Sequence, residues 1–125
     1  MKAVLLDTED RYRVTEIDEP APGPGQVAVK VAYAGIQWGD TMVRDGLFPL
    51  PRPFVPGFEA SGHIIAVGEG VDPARIGTPV TALTTGGACA EVALAPAALA
   101  PGHRRPAAAH RRRPRLGRTG RLRPD

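Results

Sequence analysis

The sequence is short of the residues on which several specialised small folds depend. Cysteine occurs once in 125 residues, at Cys89, which excludes an intramolecular disulfide framework and a zinc site built from four thiolates. Aromatic side chains make up only 5%, and all six precede position 59. No apolar run approaches the ~18 residues of a membrane span, and Met1-Lys2-Ala3-Val4-Leu5-Leu6-Asp7 meets a charge too soon for a signal peptide. The chain therefore reads as soluble and cytoplasmic, with no membrane partner. Uninterrupted helix-forming stretches are scarce as well, because Gly contributes 15 residues and Pro 14. That density excludes a helical bundle or coiled coil and favours short strands joined by turns. The length suits one domain with a buried core.

Charge divides the chain in two. Residues 1–102 hold seven Lys/Arg against twelve Asp/Glu, a balance of −5, whereas residues 103–125 hold nine Arg and one Asp. The formal net charge of +3 thus describes neither part. Ordering the 23 residues of the tail would cost on the order of 25–45 kcal/mol in backbone entropy. Its large apolar side chains, Leu116 and Leu122, return about 1.5–3 kcal/mol each on full burial. The tail is expected to be disordered.

The body reads as strands. Ala3–Leu6 and the alternating Tyr12–Ile17 suit an antiparallel pair, and Pro20-Ala21-Pro22-Gly23-Pro24-Gly25 is a turn. Gln26–Ala34 shows period-two apolar character, with Val27, Val29 and Val31 on one face. Trp38–Asp45 is the one short helix, ended by Gly46. Ala60–Val67, Thr78–Leu83 and Ala88–Leu94 complete the strands, the last two separated by Gly86-Gly87. The expected fold is mainly β with one short helix, a small, partly open barrel.

Three linked segments are more specific. They are Ala34-Gly35-Ile36-Gln37-Trp38-Gly39-Asp40 with Arg44-Asp45-Gly46-Leu47-Phe48-Pro49, then Pro56-Gly57-Phe58-Glu59-Ala60-Ser61-Gly62, then Val67-Gly68-Glu69-Gly70-Val71. In order and spacing they resemble the amino-terminal GroES-like domain of the medium-chain dehydrogenase/reductase superfamily, in its quinone oxidoreductase (zeta-crystallin-like) branch. The resemblance covers residues 1–102 and implies NADPH-dependent hydride transfer to quinones, enones or related carbonyl compounds. Such relatives hold substrate between this barrel and a following Rossmann domain, and are expected to be homo-oligomers. Zinc-dependent alcohol dehydrogenases of the superfamily carry Cys where this chain has Gln37 and His where it has Phe58. An amide and a phenyl ring cannot replace those ligands, so the expected chemistry is free of zinc.

The resemblance nominates Gln37, Asp40 and Glu59 as catalytic residues, and Trp38, Arg44 and Phe48 as substrate-binding ones, with Gln37 also facing the cofactor. Gln37 stands where the reductases usually have Asn; its amide would donate to a substrate carbonyl or the nicotinamide ribose, or else be satisfied by backbone at the barrel edge. Asp40 either orients the cleft or caps the helix, and Arg44 suits an i, i+4 pair with Asp40. Phe48 keeps an aromatic wall without a hydroxyl. Trp38 either stacks on a flat substrate or fills the barrel mouth. Glu59 either anchors its loop or takes part in catalysis. Gly57 and Gly62 read as backbone requirements, Cys89 as a small core residue within a strand, and His63 as packed or solvated.

A Rossmann domain needs far more chain than the tail provides. The chain therefore reads as a fragment whose Arg-rich end comes from a shifted reading frame, with negligible turnover and little NADPH binding by itself. Two other classes compete. One is a small binding module whose tail contacts a polyanion, although no aromatic lies in the tail to stack on bases. The other is a co-chaperonin sharing the barrel.

Overall fold

The computed structural model describes residues 1–103. Of the basic tail expected over 103–125, all but His103 lies outside the described residues.

The first two strands, β1 (Lys2–Leu6) and β2 (Tyr12–Glu16), form the antiparallel pair that their spacing predicts, with Val4 opposite Val14. Asp7 sets the turn between them. Its Oδ1 accepts the backbone N–H groups of Glu9 at 2.8 Å and Arg11 at 3.0 Å, leaving Asp10 in the left-handed region at φ 61°. Arg11 and Arg13 face the other carboxylate oxygen at 3.5 and 3.2 Å. The Arg11 backbone bond is the largest influence holding this carboxyl below its ordinary pKa, joined by the Glu9 bond and the two guanidinium charges.

Four further strands form a second antiparallel sheet: β3 (Gln26–Ala34), β4 (Glu59–Val67), β5 (Pro79–Leu83) and β6 (Val92–Pro96), in the order β5-β4-β3-β6. Its inner face buries Val27, Val29, Ile64, Val80, Ala82, Ala95 and Ala100 as one cluster. Branched and small side chains fill this core, in keeping with the scarcity of aromatics. Gly62 sits where the β3–β4 register shifts between Val31 and Tyr33; a Cβ there would fall 1.9 Å from the Lys30 carbonyl oxygen. The close approach of two backbones accounts for this glycine.

The sheets are joined through residues 88–91. The Val4 N–H donates to Cys89 O at 2.8 Å, Glu91 N–H to Lys2 O at 3.1 Å, and Val31 N–H to Glu91 O at 2.9 Å. Leu6 and Phe54 exchange both backbone bonds, at 2.7 and 3.0 Å. The result is the expected partly open, β-rich barrel with one short helix, α1 (Trp38–Arg44).

The expected strand Ala88–Leu94 is displaced. Gly86 and Gly87 both have positive φ, and residues 87–89 bond to Val55, Gly57 and Pro56 before Ala90 makes an isolated bridge with Ala3. The regular ladder starts only at Val92. Strand β6 then crosses to the far side of β3 and does not neighbour β5. Cys89 consequently lies outside any strand and is half-buried, not a core residue.

Beyond β6 the backbone returns to the β5 edge, where Thr81 N–H donates to Pro101 O at 3.3 Å and His103 N–H to Pro79 O at 3.0 Å. The Arg75 guanidinium holds this return by donating to the carbonyls of Ala97 and Ala100.

Candidate functional site

The named segments meet around the start of α1. Gln37 is the N-cap residue, in extended backbone conformation, and its N–H donates to Asp40 Oδ2 at 2.8 Å. The other oxygen of Asp40 accepts the Gly57 N–H at 3.1 Å. Asp40 is 5% exposed. One buried carboxylate therefore caps the helix and ties it to the loop before β4. A carboxylate satisfied by two backbone donors is a charge-assisted anchor, and its negative end suits a helix start. Gly57 has φ 100°, and a Cβ there would sit 2.8 Å from both Ala88 Cβ and Cys89 N. No other residue type fits without displacing the 88–89 segment.

The same loop brings Glu59 close. Gly35 N–H donates to Glu59 O at 3.1 Å, and the Glu59 side chain fills the space a Cβ on Gly35 would need, 2.1 Å from its Oε1. Glu59 is half-buried, and its carboxylate has no hydrogen-bond partner among the described residues. Gln37, Asp40 and Glu59 are thus gathered by one set of backbone ties. The Gln37 side chain is exposed.

The aromatic residues border this cluster. Trp38, 79% exposed, stands on the first turn of α1. Phe48, 53% exposed, shares a cavity of about 320 Å³ with Gly39, Val43, Leu50 and Phe58. Its lining is apolar, suited to a flat, weakly polar guest.

Arg44 is set apart. It lies at the opposite end of α1 and pairs with its neighbour Asp45 at 3.0 Å, not with Asp40. Asp40 faces inward toward Gly57, which leaves no exposed carboxylate for the i, i+4 pair. Two residues not singled out from the sequence support the helix instead. Arg52 donates to the carbonyls of Val43 and Arg44 at 3.0 and 3.1 Å and pairs with Asp10 at 2.9 Å. Tyr12 donates its hydroxyl to Asp40 O at 3.1 Å. Burial raises the Tyr12 pKa. Neither contact carries a local signal, since the partners of Tyr12 lie 28 residues away. The Pro51-Arg52-Pro53 sandwich was the one available hint, marking a stiff segment with an isolated cation.

A second apolar cavity, about 220 Å³, lies under α1 between Val4, Tyr12, Ile36, Thr41, Pro56 and Cys89. Burial, then the nearby Asp40 charge, pushes the Cys89 thiol pKa up, which disfavours the nucleophilic thiolate.

No group of three His, Cys, Asp or Glu side chains is arranged to hold a metal among the described residues. A dinucleotide needs a cradle of backbone N–H groups for its pyrophosphate. Gly68-Glu69-Gly70 lies in a turn, Gly86 in a bend, and α1 spans seven residues without a glycine-rich approach. The described residues supply no such cradle for a whole NADPH. Among them no helix is long and apolar enough to cross a membrane.

Residues 23–104 match the alcohol dehydrogenase GroES-like domain family. The chain is 42% identical over 81 residues to the synaptic vesicle membrane protein VAT-1 homolog of Rattus norvegicus, covering 63% of this chain and 20% of that protein. It is 41% identical over 81 residues to a probable quinone oxidoreductase of Schizosaccharomyces pombe, covering 64% of this chain and 25% of the relative. Among solved structures, mycobacterial Rv1454c complexed with NADPH superposes with a TM-score of 0.76 at 32% identity, over 83% of this chain and 34% of that one. The chain spans about a fifth to a third of the length of these relatives.

Proposed function

This chain belongs to the alcohol dehydrogenase GroES-like domain family, in its quinone-oxidoreductase-like branch, and on that premise we propose that it forms the substrate-binding wall of a zinc-independent, NADPH-dependent reductase of quinones, enones or related carbonyl compounds. The observation that carries this reading is the Asp40 anchor. It fixes Gln37, an exposed residue, at the helix start beside Trp38 and within one loop of the Phe48–Phe58 cavity.

In this reading the Gln37 amide donates to the substrate carbonyl oxygen, where negative charge grows during reduction. Phe48 and Trp38 hold the ring plane and exclude water. Glu59, lacking a hydrogen-bond partner, accepts from a substrate or ribose hydroxyl. Gln37 and Phe58 occupy the positions where zinc-dependent members place ligands, and neither side chain can ligate zinc in the required way. NADPH would supply the hydride when bound, with its pyrophosphate held by residues other than those described. The 125-residue chain alone is accordingly expected to bind substrate weakly and to turn over negligibly.

The single tryptophan makes this testable. Titration with 1,4-naphthoquinone should quench Trp38 fluorescence saturably, and Phe48→Ala should weaken that binding by roughly tenfold through lost apolar contact. Linear, unsaturable quenching that ignores Phe48→Ala overturns the pocket assignment. Clear NADPH oxidation by the purified chain with the same quinone overturns the expectation of negligible turnover.

A further inference from the structure

Two histidines absent from the proposed site stand on the same outer surface of the four-stranded sheet. His63 of β4 pairs in register with Pro79 of β5. On the other side of Pro79, His103 donates its N–H to the Pro79 carbonyl at 3.0 Å, next to the Val80–Gly102 bridge. Residues directly opposite in antiparallel pairs share a face, so His63, Pro79 and His103 stand in one row across β4, β5 and the returning segment at 101–103. Both histidines are exposed, and both line one open depression of about 740 Å³ together with Tyr33, Ser61 and Pro79.

We infer that His63 and His103 form a two-imidazole binding site for a divalent transition-metal ion such as Zn²⁺ or Ni²⁺, bridging over Pro79. Two strand spacings separate the backbones by about 9.5 Å, a span that two imidazoles leaning inward can close through one ion with bonds of ~2.0 Å. The proline ring between them is compact and carries no long side chain to block the gap. Imidazole is a preferred ligand for these ions, and water completes the coordination of an exposed site. This position is separate from Gln37 and Phe58 and does not depend on the proposed reductase role.

The charged neighbours set how strongly the site binds. Lys30 lies opposite His63 in the β3–β4 register and opposes a cation. Glu59 lies two residue pairs along β4 on the same face and favours it. Tyr33 offers a phenol at the rim.

Isothermal titration of the tag-free full chain with ZnCl₂ should give one ion per chain. His63→Gln and His103→Gln should each weaken it at least tenfold, whereas His110→Gln should leave it unchanged. In the unmutated protein, substoichiometric Ni²⁺ should broaden the imidazole NMR signals of His63 and His103 together. Wild-type affinity in both single variants, or broadening confined to one of the two rings, overturns the assignment.

Discussion

The four-stranded sheet and the segment around α1 are held in different ways. In the sheet, Val27, Val29, Ile64 and Val80 are fully buried, and the antiparallel ladders satisfy the backbone. Around α1 only Asp40 and Val43 are buried within the helix, while Ile36, Trp38, Leu47 and Phe48 are exposed. That region is fastened by a few polar ties: Asp40 to Gly57, Tyr12 to Asp40, and Arg52 to the last carbonyls of the helix. A sheet built on apolar burial is stable whatever approaches its other surface. A helix held at points keeps its apolar side chains free to meet a ligand or another protein surface, and a single substitution can detach it.

This contrast is open to direct attack. The largest effect should come from Ile64→Ala, which leaves a cavity in the centre of the sheet core; a loss of about 2–5 kcal/mol in urea unfolding is expected. Both regions should melt together in that variant. Asp40→Asn keeps the shape but turns one acceptor into a donor facing a backbone N–H, and should cost about 1.5–3 kcal/mol. Its mark is locality: proteolysis should concentrate between residues 35 and 58 before the sheet is cut. If the sheet and the helix segment became sensitive together, the distinction between them would fail. Arg52→Ala should cost about 1 kcal/mol by freeing the helix carboxyl end, seen as a small shift of the Trp38 fluorescence transition.

The smallest effect is pH-dependent. Asp7 has a lowered folded-state pKa, chiefly through the Arg11 backbone bond. A lowered carboxyl pKa contributes stability above its unfolded value, and that contribution disappears as pH falls through the folded one. Asp7→Asn should therefore melt earlier than the wild type at neutral pH. The gap should close in acid, below the usual carboxylate range, and thermal melts at several pH values read it directly.

Local pattern carried much of the architecture. The period-two run over 26–34 marks β3 to the residue, and Gly46, at φ 78°, closes a helix whose expected end at Asp45 differs by one position. These boundaries are written by neighbours in sequence. Residues 88–91 look like a strand by composition but serve as a connector, because their partners lie in β1 and in the loop at 55–57. Cys89 was misplaced for the same reason. At the site, Gln37, Asp40 and Glu59 were nominated through linked motifs, yet the geometry joining them depends on backbone N–H groups at Gly35, Gln37 and Gly57, which no side-chain pattern encodes. Arg44 illustrates the opposite error: helical spacing offered Asp40 as a partner, but that carboxylate is turned inward.

The Arg75 clasp on Ala97 and Ala100 has a consequence for the solution behaviour of the molecule. By keeping the returning backbone against β5, one guanidinium conceals a row of amide and carbonyl groups that would otherwise recruit strands from neighbouring copies. Arg75→Ala should therefore raise self-association at high concentration, through a side chain remote from both the helix and the pocket.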